Sequence, residues 1–337
     1  MNSKVSVIIP AYNAAETIER CIQSLLKQSY KSIEIIVVDD GSTDSTGSII
    51  TSIYKGNCKV IYITKENQGV SVARNVGMSI ATGKYIMFVD ADDWIHTECI
   101  GSMVETLEAQ NADYCFTDWY VKTNEGLRID YVNKDFKEKF SAEILYRFYI
   151  LNRYGCAPWG KLYKRDLIVK NEIAFSPELP YAEDYLFILQ YLSYADTCVY
   201  VKKPLLYYDC CQPGAAVKIR DNYFNLQVKI ECLKEKIVMS SIKYRNSDKD
   251  LLRISKLQAY VLSLIYLKNL YKNFNSCYRE AKKILKVLRK ECSINLLKYS
   301  NLNSLGKVYA VLAFLNNTFG IVVLTIITAF VKKLVRR

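Results

Sequence analysis

The chain has 337 residues, half of them hydrophobic and 24% charged, enough for a packed core and roughly two domains. Its net charge of +12 is unevenly spread, with about −5 on residues 1–215 and about +17 on residues 216–337, so the second part suits an anionic partner, nucleic acid or the anionic leaflet of a membrane. Eleven scattered cysteines without a C-x-x-C pair and a single histidine, His96, argue against a Cys/His zinc site and fit a reducing cytosol.

The opening residues, Met1 to Lys4, run straight into a strand-like segment and read as lacking a signal peptide. Val5 to Ile9 is a β-branched run stopped by Pro10, and Ala11-Tyr12-Asn13 follows as a turn in which Asn13 can cap a helix. Ile18, Cys21, Ile22, Leu25 and Leu26 then share one helical face. Ile33 to Val38 is the second strand. It ends in Asp39-Asp40-Gly41-Ser42-Thr43-Asp44, where Gly41 permits a tight turn and the hydroxyls and Asp44 can cap a helix through Ile49, Ile50 and Ile53. Val60 to Ile63 is the third strand, Asn67-Gln68-Gly69 a loop, and Val70 to Ile80 a helix carrying Ala73-Arg74-Asn75. Thr82-Gly83 breaks that helix before an apolar fourth strand, Tyr85 to Val89. Apolar strands alternating with amphipathic helices imply a mostly parallel sheet covered on both faces, with ligands at the carboxyl ends of its strands. Neither a Gly-x-Gly-x-x-Gly after the first strand nor a Walker A sequence is present.

The fourth strand runs into Asp90, Asp92 and Asp93. On a continued strand Asp90 and Asp92 would point one way, with Asp93 opposite or turning with the chain. Carboxylates so close need neutralising, and a hard divalent cation does this well. Taken alone, the stretch is equally an acidic turn with Asp93 capping a helix through Trp94 and Ile95.

Together, Val5–Asn13, Val37–Asp44, Asn67-Gln68-Gly69 with Ala73-Arg74-Asn75, and Phe88–Asp93 resemble, in order and spacing, an inverting family 2 glycosyltransferase of the GT-A fold. The resemblance implies that Pro10, Ala11 and Tyr12 line the base pocket of a nucleotide sugar. Asp40 would accept a hydrogen bond from the base, most often uracil, and Asn67 and Arg74 would lie near the nucleotide. Asp90 and Asp92 would form the family's D-x-D motif. Asp92 would be the main ligand of Mn²⁺ or Mg²⁺, Asp90 would reach ribose or metal, and Asp93 completes the candidate metal set. The chemistry asks for such a cation, because the leaving nucleoside diphosphate develops charge. As turn residues, Asp44 and Asn67 need no ligand, and Tyr12 is equally explained by packing.

Further on, a helix from Ile100 to about Gln110 and a strand at Tyr114 to Trp119 are expected, then a polar loop over residues 122–140. Ala157–Arg165 and Tyr181–Phe187 resemble second-half motifs of polymer-building relatives. There the acid nearest the acceptor is the catalytic base, a role this carries to Asp184, with Glu183 as neighbour. The plain alternative is that both acids open a helix and favour its macrodipole. Trp159 and Lys161 are candidates for lining the donor or acceptor site. Departure from the pattern comes at Asp209-Cys210-Cys211-Gln212, where many relatives carry basic residues before a Pro-Gly-Ser-like turn. Lys218 and Arg220 are the nearby substitutes.

Beyond about residue 220 the resemblance fades and helices are expected at Phe224–Met239, Leu251–Tyr271 and Cys277–Tyr299. In the last of these Lys282, Lys283, Lys286, Arg289 and Lys290 surround Ile284, Leu285 and Leu288, a basic amphipathic pattern suited to an anionic membrane surface or, equally, to a solvated face. Val308 to Val331 is mostly apolar, interrupted at Asn316-Asn317 and closed by Lys332, Lys333, Arg336 and Arg337. A basic end and a catalytic domain that both belong in the cytosol disfavour a single crossing and favour in-plane or re-entrant helices.

The expected organisation is a nucleotide-sugar-binding half over 1–105, an acceptor and catalytic-base half over 106–220, a basic helical region over 221–300 and a membrane-associating tail over 301–337. The expected function is metal-dependent, inverting transfer of a sugar from a nucleotide donor, most readily a UDP-sugar, to a growing, lipid-linked cell-surface glycan. It would act at the cytoplasmic face of the membrane, held there by residues 277–337, without nucleic acid. The rivals are a catalytically weak scaffold that binds nucleotide sugar or docks at a membrane, motivated by residues 209–212, and a nucleic-acid-binding protein, motivated by the basic third.

Overall fold

The computed structural model describes residues 3–152, 154–211, 223–241, 243–244, 249–270, 274–292 and 304–315, with 295, 300, 302, 318 and 321 singly. The chain forms two compact units, one of Met1–Tyr146 with Arg153–Ala216 and one of Arg147–Asn152 with Val217–Arg337.

The first unit opens with β1 (Val5–Ala11), α1 (Ile18–Leu26), β2 (Ile33–Asp39), α2 (Thr46–Tyr54), β3 (Val60–Thr64), α3 (Val70–Ile80) and β4 (Tyr85–Phe88). It continues through β5 (Trp94–Ile95), α4 (Cys99–Ala109), β6 (Tyr114–Thr123), β7 (Gly126–Asp130), β8 (Lys139–Ser141), the start of α5 (Ala142–Leu151), whose residues from Arg147 on belong to the second unit, β9 (Lys161–Lys164), α6 (Arg165–Lys170), α7 (Glu183–Leu192) and β10 (Thr197–Asp209). One sheet runs β3-β2-β1-β4-β9-β6-β10-β5, with β7 beside β6 and β8 beside β10. The first four strands in that order are parallel, in keeping with their largely apolar residues, and β9 reverses direction between β4 and β6. Every residue of β1 and β2 is buried.

Register decides where the polar loops go. Ala11 pairs with Asp39, and Asp39 with Thr64, so three strands stop at one level. Tyr12, Asp40 and Lys65 therefore leave the sheet at one edge. Close packing sets α3: a Cβ on Gly77 would run into the Ile8 side chain of β1. Gly41, at φ +75°, makes the turn after β2, and a Cβ there would lie 2.9 Å from the Asn67 nitrogen.

Three elements differ from the sequence expectation. β4 stops at Phe88, ahead of the carboxylates, which occupy a turn closed by Asp93 N–H donating to the Asp90 carbonyl (3.0 Å). Strand alternation thus does not orient them. Asp93 starts no helix, because Trp94–Ile95 pairs antiparallel with Tyr207 and Leu206 of β10. Within the polar stretch 122–140, β6 extends to Thr123 and turns into β7, an exposed hairpin strand whose Leu127 and Ile129 face solvent.

The second unit holds α8 (Tyr223–Ser240), α9 (Lys249–Leu270), α10 (Phe274–Glu291) and α11 (Ser304–Phe314). Leu257, Tyr260, Val261 and Leu264 of α9, Ala281, Ile284, Leu285 and Leu288 of α10, and Tyr309, Ala310 and Ala313 of α11 share its core. The apolar stripe of α10 is therefore already covered by protein, and the helix ends at Glu291, short of Tyr299. Lys282, Lys283, Lys286 and Lys290 remain exposed. Among the described residues no helix is long and apolar enough to cross a membrane. Of the expected apolar tail, residues 316–337 other than 318 and 321 lie outside the described residues, as do Lys218 and Arg220.

Candidate active site

Two cavities adjoin at the carboxyl edge of the sheet. The smaller, about 300 Å³, is lined by Pro10, Ala11, Tyr12, Asp40, Asn67, Gly69, Val70 and Ala73. The larger, about 650 Å³, shares Pro10, Tyr12 and Val70 with it and extends to Arg74, Asp90, Ala91 and Asp92. The seven residues read from the sequence as nucleotide-binding thus surround one connected cleft.

Asp40 closes the smaller cavity. Its Oδ2 accepts the Gly69 N–H (2.7 Å) and its Oδ1 the Gln68 N–H (3.0 Å), while Lys65 forms an ion pair with it. A carboxylate has about four lone-pair sites, so Asp40 shapes the 65–69 loop and keeps capacity for a ligand. Asp44 lines the larger cavity, but its carboxylate accepts from Thr46 N–H (2.9 Å) and Ala15 N–H (3.1 Å), the work of a turn residue.

Arg74 joins the halves of the site. Its guanidinium is buried, rests over the Phe175 ring at 5.2 Å, and donates to Asp90 Oδ1 (2.9 Å) and Glu183 Oε1 (3.2 Å). The aspartate turn and the start of α7 therefore share the Arg74 guanidinium. Asp184, the next residue of α7, has its carboxyl pushed up to about 6 by burial and then by the Glu183 charge, with Arg74 opposing. Ala182, at the N-cap of α7, holds φ +64°, a left-handed conformation unfavourable for alanine. Strain of this kind collects at functional sites.

The three aspartates of the turn diverge. Asp92 lines the larger cavity, and burial, followed by the Asp90 charge, pushes its carboxyl up to about 6. Asp93 is 0% exposed and accepts the Asp209 N–H on Oδ1 (3.0 Å), leaving Oδ2 without a partner. Burial raises its carboxyl well above the usual range. Asp93 lines neither cavity, unlike Asp90 and Asp92, with which the sequence groups it as a candidate metal ligand.

Trp159 and Lys161 lie deeper than expected of lining residues, at 7% and 2% exposure. Trp159 packs edge-on against Trp119 and stacks on Tyr208. Lys161 donates to the Trp159 carbonyl (3.3 Å), and burial brings its ammonium down to about 8. Neither lines the two cavities. Sequence reading missed Arg20, Lys122 and Asp209, which meet beside the aspartate turn: Asp209 pairs with Arg20 at 2.9 Å and with Lys122 at 3.0 Å. They come from α1, β6 and β10, and no local spacing announces them.

The family model Glycosyl transferase family 2 matches residues 6–170. The uncharacterized glycosyltransferase YibD of Escherichia coli (strain K12) is 32% identical over 259 residues, covering 70% of this chain and 72% of that protein. WfaP of Escherichia coli, a UDP-Glc:alpha-D-GlcNAc-diphosphoundecaprenol beta-1,3-glucosyltransferase, is 40% identical over 120 residues, 35% of this chain and 47% of that one. The match spans 31% of the length of one streptococcal relative and 61% of another. Among solved structures, S. aureus TarS 1-349 in complex with UDP-GlcNAc superposes with a TM-score of 0.73 at 20% identity, over 96% of this chain and 90% of that one, and so shares its GT-A fold. A parallel half-sheet ending in a nucleotide-sized cleft, a two-thirds match to a glycosyltransferase relative and the family model itself agree, and the chain belongs to glycosyl transferase family 2.

Proposed function

We propose that the protein is a metal-dependent, inverting glycosyltransferase that moves a sugar from a UDP-sugar to a growing, lipid-linked cell-surface glycan. The observation that carries this reading is the pair of adjoining cavities. The smaller is apolar except for Asp40 and Asn67 and suits a pyrimidine base; the larger, with Asp90, Asp92 and Arg74, suits a diphosphate and its cation. TarS, solved with UDP and with UDP-GlcNAc, supports the choice of donor, and the diphosphoundecaprenol acceptor in the name of WfaP supports a lipid-linked acceptor.

The donor set fits a hard divalent cation. Asp92 offers a carboxylate that burial and Asp90 make costly to ionise alone, and a cation removes that cost. Among the described residues no group of three or more His, Cys, Asp and Glu side chains could hold a metal ion. Mg²⁺ in phosphate chemistry needs fewer, taking one or two carboxylates and completing its shell with water and substrate phosphates. In this reading Asp92 holds the ion with help from Asp90. The metal, when bound, offsets charge on the departing diphosphate.

The chain's own residues do the rest. Pro10, Ala11, Tyr12 and Asn67 enclose the base, and Asp40 accepts from it. Arg74 fixes Asp90 and Glu183 relative to one another. Asp184 takes the proton of the acceptor hydroxyl as that oxygen attacks the anomeric carbon opposite the diphosphate, and its raised carboxyl matches that task. At the membrane, the exposed Lys282, Lys283, Lys286 and Lys290 of α10 would meet the anionic cytoplasmic leaflet through charge, since the apolar face is already covered.

Calorimetry with UDP, with and without Mn²⁺, on the wild type and on Asp92→Ala tests the reading. Tight binding that needs Mn²⁺ and is lost in the variant is expected. Equal binding by both proteins in both conditions would remove the metal role, and no binding at all would remove the nucleotide site.

A further inference from the structure

Asp92 and Asp93 of the aspartate turn and Trp94, which follows it, are each held by groups of α1 and β10. Arg20 of α1 donates from Nη2 to the Asp92 carbonyl oxygen (2.7 Å) and to Asp209 Oδ2 (2.9 Å). The Asp209 N–H donates to Asp93 Oδ1 (3.0 Å). Trp94 is sandwiched, with the Arg20 guanidinium 4.0 Å over its ring on one side and Tyr207 stacked at 4.9 Å on the other. Lys122 of β6 completes the arrangement by donating to Asp209 Oδ2 (3.0 Å), and the Cys211 N–H donates to Asp209 Oδ1 (3.1 Å). The Asp209 carboxylate is fully buried, so its charge depends on these donors.

Arg74 fixes the first residue of the turn through Asp90 Oδ1 (2.9 Å), and the turn makes few other bonds that would fix it. Its own closing hydrogen bond joins Asp93 to Asp90, and the Cys21 thiol, a weak donor, donates to the Asp90 carbonyl (3.5 Å). Orientation of the Asp92 carboxylate toward the cleft therefore depends on its carbonyl, its neighbour's carboxylate and the next ring being held from α1 and β10.

We propose that Arg20 and Asp209 are positioning residues for the reaction, a clamp that sets the Asp92 carboxylate in the geometry needed to hold the nucleotide-bound divalent cation. The inference rests on the metal reading given above. It also assigns a task to residue 209, where the chain departs from the basic pattern of many relatives: the acid anchors a cation from α1 rather than replacing one at the diphosphate. Outer groups that orient a metal ligand typically change metal affinity by roughly 10- to 100-fold when removed.

The test measures Mn²⁺ binding directly, by electron paramagnetic resonance titration in the presence of UDP, and UDP binding without metal, on the full chain. Arg20→Ala and Asp209→Asn should each weaken Mn²⁺ binding by about tenfold or more. The double variant should be little worse than either, because each single change already releases the clamp. In turnover, the apparent KM for Mn²⁺ should rise while kcat at saturating Mn²⁺ falls much less, and Arg20→Lys should recover part of the loss through one retained charge. Unchanged Mn²⁺ affinity in Arg20→Ala overturns the clamp, as does an equal loss of metal-free UDP binding together with a lower Tm, which marks a purely structural role. If the wild type shows no Mn²⁺ binding with UDP, the metal reading fails and the clamp with it; if wild-type binding is tight and the variants match it, only the clamp fails.

Discussion

On the proposed reading Asp184 is the base and Asp92 the metal ligand, and these two carboxyls carry the pH dependence of the site. Both carboxyls sit near 6, pushed up first by burial and then by an acidic neighbour. A base must be ionised to accept a proton, and a metal ligand must be ionised to bind. Both requirements have the same sign, so activity at fixed Mn²⁺ should rise with pH through about 6 and level off above it. Stability runs the other way in metal-free protein. The folded state holds these protons more tightly than the unfolded chain, so the two groups' contribution is present at low pH and lost between about 4 and about 6. Asp184→Asn should lower kcat by about 10²- to 10⁴-fold, flatten the acid limb and leave UDP binding intact; retained turnover would assign the base elsewhere. Both residue types and their order were legible in the chain, and so was their pairing with acidic neighbours. Burial was not, and burial is the larger cause of both shifts.

At the scale of elements, α3 does the most positioning, because it carries Arg74 between the aspartate turn and α7. Gly77 lets it sit directly on Ile8 of β1, and Phe88, Phe175 and Phe187 pack below it in mutual ring contact. Gly77→Leu should force the helix outward and cost about 1–3 kcal/mol by overpacking, read as a lower midpoint in denaturant. It should also weaken UDP binding, because Arg74 and Val70 move with the helix. The first four strands and three helices were predictable because each is long, apolar on the right period and punctuated by Gly, Pro or capping residues. The stretch after Phe88 was not. Strand, turn and helix are all compatible with Asp90–Trp94 locally, and pairing of Trp94 with Tyr207, more than a hundred residues away, selects the turn and β5.

For the whole molecule, the charge asymmetry read from composition becomes a specific surface. The lysine row of α10 faces solvent while the apolar row is spent on α9 and α11. Membrane attachment through this helix should therefore be electrostatic. Binding to vesicles containing anionic lipid should fall steeply with salt, and Lys282→Glu with Lys286→Glu should weaken it at low salt by several-fold per charge, since each basic group near such a surface contributes about 1 kcal/mol. Salt-insensitive binding would point instead to insertion of the apolar C-terminal residues.

The resemblance of four short motifs picked out Pro10, Ala11, Tyr12, Asp40, Asn67, Arg74, Asp90 and Asp92 among the residues lining the cavities, whereas composition and periodicity by themselves determined the α/β class, the parallel half-sheet and its carboxyl edge as the ligand edge. They could do so because strand and helix periods are local, and because a chain that alternates them has few ways to cover its apolar faces. Tertiary structure alone decided that Asp93 turns inward, that Trp159 and Lys161 are buried and line neither cavity, that the amphipathic face of α10 is already occupied, and that Arg20, Lys122 and Asp209 meet. Each depends on contacts between distant segments, where packing and desolvation, rather than the neighbours along the chain, set what a side chain can touch.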